Sequence, residues 1–508
     1  MTELTATLEW RRFVEAARAA NRRAESLRVI DAAGLKIDVS AQPQSAALDA
    51  AAEDLLRARG LHEARRALFA GEHVNNTENR AAWHTVLRDA APPPAVALER
   101  ERVRAFVQRA DTERRWRNIV HIGIGGSDWG PRLAVEAFGY TGRWRTIRFV
   151  SNIDGHAMAG GLAGLDPHDT LVVVSSKSFT TTETLHNAER ALAWLKSAEI
   201  DDPFQQIVAI TANPQRAVAW GVPEQHVFRF WDWVGGRYSI WSAISLPVAL
   251  SVGSEVIAGM TAGAAEMDRH FLQAPMHENA PVQMALAGVI NRSILGYGSL
   301  AIVPYDTRLF YLVSYLQQLE MESLGKSVDR EGHPVQVPTG PAVWGMPGTD
   351  AQHTFFQWLH QGSDGAPVDF IVCRYPDHHW SNHHRQLLAN CLAQRAALLR
   401  GKTSEEAGLN DSPGLAPHRA TQGGRPSTLI VLPRLTPHAL GALLALYEHK
   451  VFVQSVIWGI NPFDQWGVEF GKTMAAGLAR ELAGDFSPPG MYDSSTSYWL
   501  EVFSRSRP

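Results

Sequence analysis

The sequence predicts an α/β protein with two parallel-sheet lobes, a helical N-terminal region before them and a short arm after them. Three observations carry this. From about residue 117, short apolar runs alternate with helical patterns; a second such series starts at about 298; and residues 1 to about 110 are rich in Ala, Arg, Leu and Glu, with few turn signals. The expected division is 1–110 as a helical N-terminal region packing on the second lobe, 111–270 and 271–484 as the α/β domains, and 485–508 as the arm.

In the first series, Asn118–Ile124, Thr146–Ser151, Leu171–Val174 and Gln206–Thr211 read as strands. Pro131–Phe138, Thr181–Trp194 and Ser239–Ser251 read as the helices between and after them. In the second, Ser299–Val303, Asp369–Cys373 and Ser427–Leu432 read as strands. Thr307–Ser323, Gln352–Gln361, His379–Leu399 and Pro437–Glu448 read as helices, followed by a strand-like Val451–Ile457. Residues 401–426 carry Gly, Pro, Ser and charges and read as a long surface connection, and Pro488-Pro489-Gly490 opens the C-terminal arm.

Composition excludes several classes. The 508 residues carry a formal charge of −4, which gives no electrostatic reason to expect nucleic acid or an anionic membrane as partner. Cys373 and Cys391 are the only cysteines, so neither a disulfide scaffold nor a CxxC zinc site is expected. The start, Met1-Thr-Glu-Leu-Thr-Ala-Thr-Leu, lacks a basic region followed by an apolar core, and Leu440–Trp458 is interrupted by Glu448, His449 and Lys450. A cytoplasmic protein with no membrane span is expected.

Five stretches carry candidate chemistry. In the first, the β-branched run Leu171–Val174 stops abruptly in Ser-Ser-Lys-Ser-Phe-Thr-Thr and then turns into a helical pattern. The carboxyl end of a buried strand, opening into a helix N-terminus, is where open α/β sheets bind anions. Ser176, Ser178, Thr180 and Thr181 add hydroxyls and Lys177 a charge, which together suit a phosphate. The same letters also suit an ordinary Ser/Thr N-cap. In the second, Ile122-Gly-Ile-Gly-Gly-Ser-Asp directly follows a strand. Its glycines allow backbone to approach a ligand, but the spacing is not that of a dinucleotide fingerprint. Gly126 and Ser127 suit a phosphate monoester better, and the two strand ends can meet at a switch point of one sheet.

In the third stretch, Gly235 and Gly236 place Arg237 on a tight loop, where a guanidinium can neutralise a developing oxyanion or else serve a surface ion pair. In the fourth, Leu309, Leu312, Val313, Leu316 and Leu319 form one apolar helical stripe, with Gln318 and Glu322 four apart on a shared face and Gly325 as C-terminal cap. The negative helix end would raise the free energy of the Glu322 carboxylate and favour a general base. In the fifth, Thr349 or Asp350 can cap a helix whose first turn holds His353. Beyond these, Gln465 and Lys472 are seven apart after the Asn461-Pro462 start signal and would share a helix face. His379 and His383 have i, i+4 spacing but no accompanying H-E-x-x-H glutamate, so an exposed polar face is the better reading than a metal site.

These motifs closely resemble the glucose-6-phosphate isomerase family. The resemblance runs from Phe69–Leu87 through Gly-Ile-Gly-Gly-Ser-Asp, Ser-Lys-Ser-Phe-Thr-Thr, Val-Gly-Gly-Arg-Tyr-Ser, Gln-Gln-Leu-Glu-Met-Glu-Ser, Gly-Thr-Asp-Ala-Gln-His and Phe-Asp-Gln-Trp-Gly-Val-Glu-Phe-Gly-Lys to Asp493–Thr496, in the family's order. It implies two doubly wound domains of the sugar-isomerase (SIS) type and, usually, a homodimer. It implies that Gly126, Ser127, Ser176, Lys177, Ser178 and Thr181 line the pocket and hold the sugar phosphate. Glu322 matches the base that moves a proton between C2 and C1 through a cis-enediol, and Arg237 matches the residue that stabilises the enediolate. His353, contributed by the neighbouring subunit, and Lys472 match the ring-opening groups, and Gln318 and Gln465 match substrate-contacting positions. Ser178, Thr182, Met346 and Asp350 depart from the common pattern, the last two near His353.

The implied activity is interconversion of glucose 6-phosphate and fructose 6-phosphate. Enediol isomerisation needs a base, a cation and a phosphate tether, but no redox cofactor and no metal. Three alternatives compete: an enzyme that also takes mannose 6-phosphate, a non-catalytic sugar-phosphate sensor, and an NAD-dependent oxidoreductase resting on the glycine loop alone. A sensor has no need of Glu322, Arg237, His353 and Lys472 together.

Overall fold

The computed structural model describes residues 3–20, 26–142, 144–408, 413–484 and 491–505. The chain divides into two compact units, residues 1–462 and 463–508. Residues 485–490 and 506–508 of the expected arm lie outside the described residues.

The N-terminal region is helical over Leu8–Ala19, Ala46–Ala58, Leu61–Ala70 and Pro94–Thr112, but not throughout. It also contains a hairpin, β1 (Val29–Ala32) and β2 (Leu35–Ala41), paired antiparallel across Ala33-Gly34. Both turn residues have positive φ (49° and 77°), the requirement of a two-residue turn whose twist matches the strands. The signal is an alternation: Ile30, Ala32, Leu35, Ile37 and Val39 are buried, while Val29, Asp31 and Lys36 are exposed. Averaged with Ala-rich neighbours, that short period-two pattern is masked.

Five parallel strands follow: β3 (Asn118–Gly123), β4 (Thr146–Val150), β5 (Thr170–Ser175), β6 (Ile207–Thr211) and β7 (Val227–Arg229), in spatial order β4-β3-β5-β6-β7. Every residue of β5 is buried, as its unbroken apolar run predicts. After β4 the chain returns across β3 to lay down β5, so β3 and β5 flank a topological switch point. Their register pairs Gly123 with Ser175, which brings both strand ends level at the crevice.

The other sheet combines β8 (Ser299–Tyr305), β9 (Ala342–Gly345), β10 (Val368–Cys373) and β11 (Ser427–Leu432) with the hairpin, in order β1-β2-β11-β10-β8-β9. β8 to β11 are parallel, and β2 joins β11 antiparallel. The N-terminal region therefore completes the second sheet rather than only covering it.

Three expected elements change. Val451–Ile457 is not a strand; helix continues from Pro437 to Trp458 without a break. Its Val and Ile residues favour strands locally, but every residue from Ala439 to Trp458 is buried, and this tertiary burial decides the conformation. Ser239–Ser251 is not one helix: 3₁₀ turns at Gly236–Trp241 and Ala243–Ser245 precede a helix over Leu246–Val252. Ser242 is extended and its hydroxyl accepts from the Ile244 N–H, an alternative to continuing helix. Gln352–Gln361 divides into Gly348–Gln352 and Phe356–Gln361.

Pro437–Trp458 is long and apolar enough to cross a membrane, but its most apolar stretch is wholly buried inside the protein. It packs on Ser254–Gln273 through glycines: a methyl on Gly441 would lie 1.8 Å from the Met260 carbonyl oxygen, and one on Gly263 1.9 Å from that of His438. Gly441→Ala is expected to destabilise the fold by about 1–3 kcal/mol, through helix separation. Gly160→Ala, on an exposed helix position with open space around it, is expected to be neutral or stabilising. Urea unfolding of the two variants checks the contrast.

Candidate active site

The loops leaving β3 and β5 meet a third segment, 231–241, which follows β7. A side chain at Gly126 is impossible here, since its Cβ would lie 1.9 Å from the Gly236 carbonyl oxygen. The Ser239 hydroxyl donates to the Gly126 carbonyl at 3.2 Å and locks the same contact from the other side. Ser127, half-buried, stands in the short turn Gly125–Ser127. Gly125 has φ of 59°, and a Cβ there would lie 2.8 Å from Gln318 Nε2. The glycines thus admit two neighbours, the 236 backbone and the Gln318 amide, as close backbone approach requires.

Around Arg237 the side chains converge. Its Nη1 donates to Glu322 Oε2 at 3.1 Å, its Nε to Ser323 Oγ at 2.7 Å and its Nη2 to the Pro462 carbonyl at 2.5 Å. The guanidinium is buried, whereas the Glu322 side chain keeps about 29% exposure, so the carboxylate opens to the crevice. Gln318 Nε2 donates to the other carboxylate oxygen, Oε1, at 3.2 Å, across one turn as the spacing predicts. The supporting helix spans Leu312–Leu324 with Gly325 as cap, and Leu312, Val313, Leu316 and Leu319 are buried beneath it. Glu322 therefore lies in the last helical turn but also against a guanidinium, two electrostatic influences of opposite sign.

The 176–181 turn is built without using its hydroxyls as a helix cap. Thr181 occupies the N-cap position of helix Thr182–Lys196, yet its side chain caps no N–H and instead accepts from Ser176 Oγ at 3.3 Å. Buried Phe179 holds φ of 52°, a left-handed conformation that a bulky residue adopts only when packing imposes it, here beside Trp220. Ser178 and Thr180 are exposed and share a 2.6 Å hydrogen bond. Uncapped first-turn N–H groups beside clustered hydroxyls suit an oxyanion. Underneath, His121 Nε2 lies 3.0 Å from Ser175 Oγ, and burial lowers the pKa of this ring to about 3, so it adds no charge.

Lys177 does more than add charge. Its Nζ donates to the carbonyls of Asp232 (2.7 Å) and Val234 (2.8 Å), tying the cradle to the loop that carries Arg237. The Trp83 N–H holds the same loop through the Trp233 carbonyl at 3.3 Å. Burial first, then the nearby Arg80, lowers the Lys177 pKa to about 8.

The structure thus brings together Gly126, Ser127, Arg237, Gln318 and Glu322, with Ser176, Lys177, Ser178 and Thr181 on the adjoining strand end. His353 stands apart. It is exposed and follows the five-residue helix Gly348–Gln352 as its C-terminal cap, not within a first turn. Pro347 starts that helix earlier than a Thr349 or Asp350 cap would, and Gly348 fits only because it has no Cβ to meet the Tyr305 ring. Among the described contacts, none joins the His353 ring to Arg237 or Glu322. Gln465 and Lys472 belong to the unit 463–508. Gln465 (φ −150°, ψ 47°) is not helical and precedes the 3₁₀ turn Trp466–Val468, while Lys472 lies in helix Glu469–Ala483, 2.8 Å from Glu469. Their sevenfold spacing does not run along one helix.

Sequence reasoning missed the partners behind Arg237: Ser323, Tyr238 and His84. Tyr238 OH lies 3.1 Å from Ser323 Oγ, and its ring stacks on His84 at 4.4 Å. A signal existed, since Tyr238 and Ser323 adjoin the residues singled out and His84 falls in the long Phe69–Leu87 stretch.

A carboxylate and a guanidinium facing each other at the switch point of a doubly wound sheet, beside a hydroxyl-rich turn, define a protein that handles a small phosphorylated substrate. The family described as phosphoglucose isomerase matches residues 38–500, and the chain belongs to that family. It is 58% identical to glucose-6-phosphate isomerase of Bordetella pertussis, with 99% of each chain covered. It is 45% identical to that of Burkholderia cenocepacia, over 88% of this chain and 86% of that one. The crystal structure of a glucose-6-phosphate isomerase from Chlamydia trachomatis superposes with a TM-score of 0.87 at 31% identity, covering 99% and 100% of the two chains.

With a pKa of about 8, Lys177 is cationic below that pH and neutral above it. Affinity for inorganic phosphate is expected to fall as pH rises above about 8, where phosphate is already almost wholly dianionic. Lys177→Met should bind weakly at every pH from 7 to 9 and lack that limb. Calorimetric titration across the range checks both statements.

Proposed function

We propose that this protein interconverts D-glucose 6-phosphate and D-fructose 6-phosphate through ring opening and a cis-enediol. The observation that carries the reading is the Arg237–Glu322 pair, set next to the 176–181 cradle in a chain of the phosphoglucose isomerase family. In the open-chain aldose, Glu322 takes the proton from C2, the C–H electron pair forms the C1–C2 double bond, and the carbonyl oxygen gains the charge. Negative charge thus passes from the carboxylate to the substrate oxygen while the Arg237 guanidinium stays beside the carboxylate. A fixed cation that serves both states needs little reorganisation during the step. Proton shuffling between O1 and O2, and return of the proton to C1, completes the ketose.

The 176–181 turn would hold the phosphate, with Gly126 and Ser127 beside it and Gln318 and Gln465 on the sugar. Ring opening falls to His353 and Lys472. In this reading the enzyme is a cytoplasmic homodimer of glycolysis and gluconeogenesis, with His353 reaching the site of the neighbouring subunit. The isolated, exposed position of His353 favours that assignment. The division into 1–110, 111–270, 271–484 and 485–508 belongs to the same proposal.

Fructose 6-phosphate should be converted at the same rate with and without EDTA. Glu322→Gln is expected to lower kcat by about 10²- to 10⁴-fold, the range of a positioned general base, while phosphate binding persists. Retained turnover, or retained solvent-deuterium incorporation at C1 of the ketose, would remove Glu322 as the base. For His353, mixed dimers of His353→Ala and Glu322→Gln chains should regain activity, because one site per dimer combines two intact contributions. No recovery on mixing would place His353 in its own chain's site or outside the chemistry.

A further inference from the structure

Behind Arg237 lies a buried polar cluster for which proton transfer has no direct use. Arg88 forks onto Asp268, with Nε–Oδ2 at 2.9 Å and Nη2–Oδ1 at 2.8 Å, and donates from Nη1 to Glu448. The second Glu448 oxygen accepts from Trp241 Nε1 at 2.8 Å. His84 Nε2 lies 3.8 Å from Glu448, and its ring stacks on Tyr238 with an interplanar angle of 25°. Burial, with the Arg88 charge next in weight, holds the His84 pKa well below the usual histidine range. The ring is therefore a neutral, immobilised platform. From it the path runs through Tyr238 OH, which bonds Arg237 directly and also meets Ser323 Oγ, the acceptor of the Arg237 Nε bond.

We propose that Tyr238 is a positioning residue for Arg237, acting both directly and through the Ser323 hydroxyl, and held in place by the His84 ring above the Arg88–Glu448 cluster. The inference rests on the isomerase reading. An arginine that must stabilise charge first on Glu322 and then on substrate has to keep its orientation while its partner changes. A guanidinium can rotate about its side-chain bonds, and small misplacements of such groups are costly in rate. Nε is the donor nearest the stem, so fixing it fixes the plane of the group. The Ser323–Tyr238–His84 path does this with buried side chains on three separate segments: 3% or less of Arg237 and Tyr238 and none of Ser323 is exposed.

The test is steady-state kinetics with fructose 6-phosphate. Tyr238→Phe keeps the ring and the stack and removes one hydroxyl. It is expected to lower kcat about 10-fold with KM within about 2-fold, and Ser323→Ala to lower kcat about 10- to 100-fold, the range of a hydrogen bond to a charged group. The double variant should lose less than the two single losses multiplied together, because the tyrosine and the serine hold the same guanidinium and each other. His84→Ala should reproduce the Tyr238→Phe loss, and His84→Phe, which restores a stacking ring, should recover most of it. A merely structural role would lower the melting temperature without this coupling or rescue. Unchanged kcat in folded Tyr238→Phe, a loss confined to KM, or additive losses in the double variant would each overturn the proposal. Wild-type turnover alone reports on the isomerase reading, and the variant-to-wild-type ratios report on Tyr238.

Discussion

Where Gly126 faces the Gly236 carbonyl there is no room for a side chain at position 126, and the site follows from that closeness. The first sheet delivers the 124–127 turn, the 231–241 segment crosses it at backbone contact, and Arg237 is the first residue past the crossing. Lys177 and Trp83 hold the same segment from two other directions. The guanidinium is therefore placed by main chain and glycine rather than by the reach of its own flexible side chain. Such support suits a group whose orientation matters more than its charge alone.

The pairing of Arg237 with Glu322 also explains how a cation can remain buried. Removing charge from water is costly unless the partner and the remaining donors are matched. Arg237 places Nη1, Nε and Nη2 on a carboxylate, a hydroxyl and a carbonyl. Glu322 retains exposure on the crevice side, so the pair is closed behind and open in front. Lysine could not reproduce this, since a single ammonium lacks the planar spread of donors that reaches three groups on two segments at once.

Much of this was legible in the sequence because it depends on local patterns. β5, the Gln318–Glu322 spacing and the glycines around 126 and 236 each follow from periodicity or from the special freedom of glycine. The family motifs then supplied the roles that spacing alone left open. What escaped depends on tertiary context. Val451–Ile457 is a strand by propensity and a helix by burial. His353 is displaced from a helix start because Pro347 begins the helix earlier. Lys177 reads as a free charge until the carbonyls of Asp232 and Val234 are seen beside it. The hairpin at 29–41 was readable, but its short alternation was submerged in an Ala-rich composition.

That hairpin also sets a timetable for synthesis. β2 pairs with β1 on one edge and with β11 on the other, and β11 lies almost 400 residues further along the chain. At about 5–20 residues per second, the ribosome needs about 20–80 s to produce the partner after β2 has emerged. The first sheet, with all five strands between residues 118 and 229, can form meanwhile. During that interval the 35–41 strand offers an unpaired edge with an apolar face. The second sheet is thus the late and exposed half of folding, where a nascent chain has most need of a chaperone.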